Sequence, residues 1–396
     1  MRPSWCLALV AVAALITGGL TACGGSSTAP RSGNAPASAD GFTATLRAAR
    51  GQTVRWWLYG GDEKINAYVD NVVAPAARRL GVTIKRVPIT DTADAVQRVV
   101  AERRAGKTSG GAVDLIWING ENFAAGKRAR LWLMQWAAAL PNARRYVDAS
   151  DPSIARDFQV PVEGQESPWQ RASFVYAHDS VKVPAPPRDL DALFAYAKAH
   201  PGRVTYPAPP DFTGSAFVRQ VVSVKGEDSA FAYLRRIKPY LYRRGVTYPK
   251  SEAELSALFG DGRVDFAMSY DSSFVGSAVR KGQFPASARP FLLGGEALQN
   301  TSYVTIPANT ARSAGAKVVA NLLLSPELQA AKLDPAVLGN PTVLDPKRLG
   351  SKRALFAAKR DSRYVLRDYG RTVAELPADK VASLEQRWTR DVLRSP

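Results

Sequence analysis

The chain has 396 residues, 46% hydrophobic, 9% aromatic and 22% charged. That length exceeds one ordinary core, and that composition excludes wholesale disorder, a collagen-like repeat and a multi-span membrane protein. Fifty-three Lys and Arg against 35 Asp and Glu leave a formal +18, a statement about solubility and attraction to anionic surfaces, while two histidines and two cysteines leave little material for metal or thiol chemistry. In chain order, Arg2 precedes an apolar stretch from Leu7 to Ile16. That stretch suits the core of an export signal over residues 1–22 and is too short for the ~20 apolar residues that span a bilayer.

Leu20-Thr21-Ala22-Cys23-Gly24 resembles the bacterial lipobox, which implies lipid on Cys23 and a mature fold without a disulfide. Residues 23–52 open on Gly, Ser, Ala, Pro and Thr and read as a flexible tether. From Thr53 the pattern is strand, loop, helix. Residues 53–59 are β-branched and aromatic and end at Gly60-Gly61, and Ile65, Tyr68, Val69, Val72 and Val73 follow at helical spacing, with Asp62 as N-cap and a kink expected at Pro75. Val82 to Val87 completes a βαβ unit; a helix follows Asp91, and Val113 to Ile118 reads as a buried strand. The same grammar is expected again at Ala172 to Ala177 (strand), Asp189 onward (helix), Arg203 to Tyr206 (strand), a helix from Gly214 presenting Phe217, Val221 and Val224, and strands at Arg263 to Met268 and Ser302 to Ile306. Ser251 with Glu254 forms a capping box, and Ser325-Pro326-Glu327 starts a helix. The last sixty residues read as mostly helical and solvent-facing.

A lipobox, a tether and two α/β lobes joined through Phe174-Val175-Tyr176-Ala177-His178-Asp179 resemble the type II extracytoplasmic solute-binding proteins of ABC importers. Asp114 to Phe123, Pro168-Trp169 and His200 to Ser215 are similar to the YnjB-like branch of that class, to which thiamine-type solutes have been ascribed. The resemblance implies an α/β, two-lobed type II periplasmic-binding-protein fold with a hinge and an interlobe cleft. Lobe I would comprise residues 53–175 and 303–335, lobe II residues 176–302, and residues 336–396 would pack on the lobes. It also implies an exported, lipid-anchored monomer in the cell envelope, working with a membrane permease and a separate ATPase, with no cofactor and no nucleic acid. The ferric-binding relatives hold their metal with adjacent tyrosines; this chain has no Tyr-Tyr pair, so no metal is expected.

In open α/β sheets ligands bind where strands end at their carboxyl side and loops lead into helices. The loops so placed are Tyr59 to Asp62, Asn119 to Phe123, Asp211 to Ser215 and Ser269 to Ser273. They and their flanks carry Asp62, Glu63, Glu121, Asp211 and Asp271 without a Lys or Arg inside them. Tyr59, Trp169, Phe212 and Tyr270 are the aromatic candidates beside these acids, a combination suited to an organic cation. Helix capping accounts equally well for Asp62 and Asp211, the start of the turn into a helix from Ser272 for Asp271, and core packing for Trp169. With the ligand's sign reversed, Gly60, Gly61, Thr213, Gly214 and Ser215 could present N–H and hydroxyl groups to a phosphate; Asn119, Asn122 and Ser273 suit either solute.

Enzyme readings find little support: His178 and His200 lack a nucleophile elbow, and a glycan-active lipoprotein hydrolysing glycosides with a Glu121/Asp271 carboxylate pair is the least supported, since the sequence gives no separation between the two acids. A polyanion-binding reading rests on Arg78-Arg79, Arg103-Arg104, Arg144-Arg145, Arg235-Arg236 and Arg243-Arg244, which read as solvated helix and loop edges.

Overall fold

The computed structural model describes residues 39–356, 363–366 and 371–395. The export signal and Cys23 lie outside them, as does the start of the tether. Among the described residues the strands are β1 (Thr53–Tyr59), β2 (Thr83–Ile89), β3 (Leu115–Ile118), β4 (Arg156–Asp157), β5 (Val160–Pro161), β6 (Glu166–Ser173), β7 (Val175–Asp179), β8 (Phe266–Ser269), β9 (Ala288–Phe291), β10 (Glu296–Thr305) and β11 (Arg371–Ala374). They form a six-stranded sheet in the order β11-β10-β3-β1-β2, with β6 also paired to β10, a three-stranded sheet β8-β7-β9, and the β4–β5 hairpin. The fold is mixed α/β.

β1 alternates as a half-buried strand should, with Val54, Trp56 and Leu58 buried and Thr53 and Tyr59 exposed at its ends. It pairs parallel with both β2 and β3. The chain therefore leaves β1 to one side and returns on the other, so the carboxyl ends of β1 and β3 open a crevice between them. Register Trp57↔Ile116, carried forward, sets Tyr59 beside Ile118. The helix after β1 begins at Glu63 under the Asp62 cap and widens into a π-turn over Val69–Val73, immediately ahead of Pro75, whose ring cannot accept an ordinary preceding turn.

The run expected as one strand over Ala172–Ala177 is divided between two sheets. β6 pairs with β10 in the large sheet, and β7 pairs antiparallel with β8 and β9 in the small one. The chain crosses at Phe174 and recrosses between β9 and β10, and Phe174 N donates to Leu298 O at 2.8 Å between the two crossings. Each sheet has its own core: Trp56, Trp169, Val304 and Val319 on one side of the crossing, and Tyr206, Phe217, Phe231 and Phe266 on the other.

Four expectations are corrected. Residues Ala39–Ala49 form a helix rather than tether, because Phe42, Leu46 and Ala49 recur at helical spacing and pack on the first core. Arg203 to Tyr206 joins neither sheet: Val204 and Tyr206 are buried as extended chain, with Val204 O taken by Tyr242 N at 2.8 Å. Val224 is exposed, so the inward face of the Phe212–Lys225 helix is built on Phe217, Val218 and Val221. Among the described residues the C-terminal region is only partly solvent-facing. Leu338, Val343 and Leu344 complete the first core, β11 adds a strand parallel to β10, and the Ala378–Trp388 helix delivers Leu384 and Trp388 into the second core, where Trp388 Nε1 donates to Tyr206 OH at 3.0 Å.

Candidate functional site

The cleft wall on the large-sheet side is built from the loops after β1 and β3. Asp62 accepts from Lys64 N (2.8 Å) and Ile65 N (3.1 Å), and Asn66 Nδ2 holds Gly60 O at 2.8 Å. After β3, Asn119 stands at the N-cap position of the Gly120–Arg128 helix without a capping bond from its side chain. Gly120 adopts φ +61°, and its N–H is received by Asp157 Oδ2 at 2.7 Å, which seats the β4–β5 hairpin and Phe158 against the helix start. Glu121 is exposed beside it and Asn122 is half-buried.

The opposite wall comes from the Phe212–Lys225 helix and the loop after β8. Asp211 caps that helix through Gly214 N (3.0 Å) and also receives Glu252 N (3.4 Å). Gly214 has no room for a side chain, since a Cβ would sit 2.1 Å from Pro207 O, so the helix start is pressed onto the preceding turn. Thr213 is buried and donates to Glu252 Oε2 at 2.5 Å. Asp271 receives Ser273 N at 2.8 Å and Ser273 Oγ at 2.9 Å. Tyr270 is packed between Phe174 (5.3 Å between ring centroids) and Phe212 (5.2 Å).

The walls meet. Lys64 Nζ donates to Ser273 Oγ (3.0 Å) and to Pro335 O (3.3 Å), and Lys281 Nζ pairs with Glu63 Oε2 at 2.6 Å on the exposed rim. Asp271 lies within electrostatic reach of Asp62, and Glu252 within reach of Asp271 and Asp211. Burial, then the facing Asp62 carboxylate, raises Asp271 to about 6, and burial with the charges of Asp271 and Asp211 raises Glu252 to about 7. Burial likewise raises Asp211. The Tyr59 phenol is raised by partial burial and then by the charges of Glu252, Asp62 and Asp211. Lys64 reaches these acids with Arg280 and Lys281 close enough to act on it, and burial lowers its pKa against the pull of Asp271. Tyr59 and Phe212 leave 45% and 42% of their surfaces exposed, one on each wall.

Asp62 and Asp211 cap their helices, while Asp271 closes a turn onto Ser273 ahead of the Phe274–Arg280 helix, which has no side-chain cap. Trp169 is a correction. It is wholly buried in the first core, edge-on to Trp56 (5.7 Å) and Trp117 (5.3 Å), because the Pro326–Leu333 helix covers β6 there, Gln329 Nε2 donating to Trp169 O at 2.8 Å. Glu252 and Lys64 were not singled out in the sequence. Lys64 carried a faint signal, a cation in the first turn of a helix where the dipole disfavours it; Glu252 carried none beyond its place after Ser251.

His178 is buried with Nδ1 2.8 Å from Val183 O and its ring edge-on to Phe291, a packing role. Arg78-Arg79, Arg103-Arg104, Arg144-Arg145 and Arg235-Arg236 are exposed in the last turns of four separate helices, where cations complement the dipole.

A model of the bacterial extracellular solute-binding protein family matches residues 71–347. The chain belongs to that family. It is a solute-binding family and not an enzyme family, and its members serve ABC transporters alongside a permease and an ATPase. Protein YnjB of Escherichia coli (strain K12) is 41% identical to this solute-binding protein over 360 residues, 86% of this chain and 91% of the relative. An extracellular solute-binding protein from Bordetella parapertussis, described as putative, superposes with a TM-score of 0.65 at 14% identity, covering 86% of this chain and 98% of that one. The periplasmic binding protein AfuA of Actinobacillus pleuropneumoniae, bound to fructose-6-phosphate, superposes with a TM-score of 0.62 at 12% identity, covering 87% and 99%. These likenesses establish the two-lobed fold. Among the described residues no helix is long and apolar enough to cross a membrane.

Proposed function

We propose that this solute-binding protein captures a small organic cation, an amine or a thiamine-like aromatic cation, by closure of its two lobes about the Phe174 crossing. The observation that carries the reading is the convergence of Asp62 from one wall with Asp211, Glu252 and Asp271 from the other, between the exposed rings of Tyr59 and Phe212. Carboxylates taken partly out of water and left short of cations favour a positive guest, and aromatic faces add ~0.5 to 2 kcal/mol each. The anionic alternative is weakened by the same geometry. Gly60 N is spent on Ile89 O (2.9 Å) and Gly214 N on Asp211, so two of the amides that would hold a phosphate are engaged. Lobes of residues 53–175 with 303–335 and of 176–302 are the bodies that would move, and the lipid on Cys23 would hold them at the cell envelope as a monomer facing its permease.

The test is to denature and refold the protein to strip carried solute, then screen thiamine, its phosphates, linear amines, sugars and oligopeptides by thermal shift and calorimetry. A saturable cation with one site per chain is the expected result. Saturable binding of anions alone would overturn the reading.

A further inference from the structure

We infer that Arg219 and Tyr270 form a receptor for a small carboxylate, that Glu375 of the C-terminal segment occupies it as an internal ligand, and that this occupancy makes the cleft reject anionic solutes. The inference rests on the cleft being the ligand site, as argued above.

Arg219 lies in the middle of the Phe212–Lys225 helix and is 1% exposed. Its fork is filled by one carboxylate: Nε reaches Glu375 Oε2 at 2.7 Å and Nη2 reaches Oε1 at 3.1 Å, while the Tyr270 hydroxyl donates to the same Oε1. The remaining nitrogen, Nη1, donates to Ser215 Oγ at 2.7 Å, and Ser215 in turn donates to Glu385 Oε1 at 2.6 Å, which fixes the guanidinium plane. A bidentate fork with a phenol donor on the same oxygen is the arrangement by which proteins recognise a carboxylate or phosphate brought from outside.

Two features separate this pair from an ordinary buried ion pair. The guanidinium sits between Phe158 of one wall (5.5 Å to the ring centroid) and Phe212 of the other (5.4 Å), so it is at the seam where the lobes meet rather than within a core. Its carboxylate arrives from 156 residues away, on the stretch between β11 and the C-terminal helix. That stretch is held to the other wall by Gln159 Nε2 donating to Glu375 O at 3.0 Å and Ala378 N donating to Phe158 O at 3.0 Å. A guanidinium this buried requires a counter-anion. With Glu375 in place the requirement is met from within, and Glu121 and Glu385, both within electrostatic reach of this position, repel a second anion. With Glu375 shortened, the vacated fork takes an anion from solution.

The experiment uses the full chain with Glu375→Ala, acetate as probe and acetamide as its uncharged isostere. Acetate is expected to bind Glu375→Ala at least ~10-fold more tightly than the unaltered protein and to raise its Tm. Acetamide does neither, and Arg219→Met added to Glu375→Ala abolishes the acetate response. Equal responses to acetate and acetamide, or no difference from the unaltered protein, would overturn the inference. If Glu375→Ala folds poorly, its refolding yield is measured with and without acetate. Recovery that acetate raises and acetamide does not supports the receptor, and recovery indifferent to acetate refutes it. No cationic solute enters these titrations, so their failure leaves the cation reading standing, and failure of the cation screen leaves the acetate result readable.

Discussion

Two ends of one seam carry the same residue type to opposite effect. At one, Asp271 stands within electrostatic reach of Asp62 and Glu252 within reach of Asp271 and Asp211, with Lys64 reaching in to Ser273, and Asp211, Glu252 and Asp271 are pushed upward in pKa. Under Phe158, Glu375 is matched by the fork of Arg219. A carboxyl matched within the chain holds the structure together, whereas carboxyls gathered without enough cations are held at a cost that a positive guest relieves.

The contrast breaks most readily at the matched end. Arg219→Met with Glu375 intact strands a buried carboxylate and is expected to cost about 3 to 5 kcal/mol, on the order of 10 °C in Tm. Urea unfolding measures it. At the unmatched end the triple change Asp62→Asn, Asp211→Asn, Asp271→Asn should leave the fold nearly intact, since Asn serves as well as Asp at the two helix caps and in the turn that Asp271 closes on Ser273. It should weaken cation affinity by roughly 100-fold in calorimetry.

Acidity separates the two ends further. Glu252 and Asp271 have folded-state values of about 7 and about 6, above their ordinary 4.5 and 3.8, so the stability they favour is complete at low pH and is lost as pH rises through about 6 and 7. Without solute, Tm should fall across that window. Cation affinity should rise across it, by on the order of tenfold from pH 5 to 8, and Glu252→Gln should flatten the upper half of both curves. Phe212→Ala should cost about 1 kcal/mol of cation binding, near fivefold, through the lost ring face. The smallest effect belongs to the exposed Lys281–Glu63 pair: Lys281→Ala should shift affinity in calorimetry only slightly, and only at low salt.

Much of the fold was legible because local rules write it. β1, β2 and β3 follow from β-branched and aromatic runs, and the helix after β1 follows from Asp62 and the spacing of Ile65, Tyr68 and Val69. The strand-to-helix loops Tyr59 to Asp62 and Asn119 to Phe123 were legible for the same reason. Arg203 to Tyr206 misled, since apolar extended chain looks alike whether or not a sheet edge is free to pair it. The tail misled because Trp388 and Leu384, amid many basic residues, reveal a buried face only once the core that receives them exists.

Sequence alone established the class of fold, the two-lobed organisation through its resemblance, and the loops that end at the cleft, all of which depend on short-range periodicity, capping and turn chemistry. Only the folded molecule decided that Trp169 belongs to a core, that Glu252 and Lys64 join the acids, and that Arg219 is answered by Glu375. Those are pairings across 41, 209 and 156 residues for Asp211–Glu252, Lys64–Ser273 and Arg219–Glu375. No local pattern encodes them, because desolvation and charge act through space and come into being only when the two lobes pack.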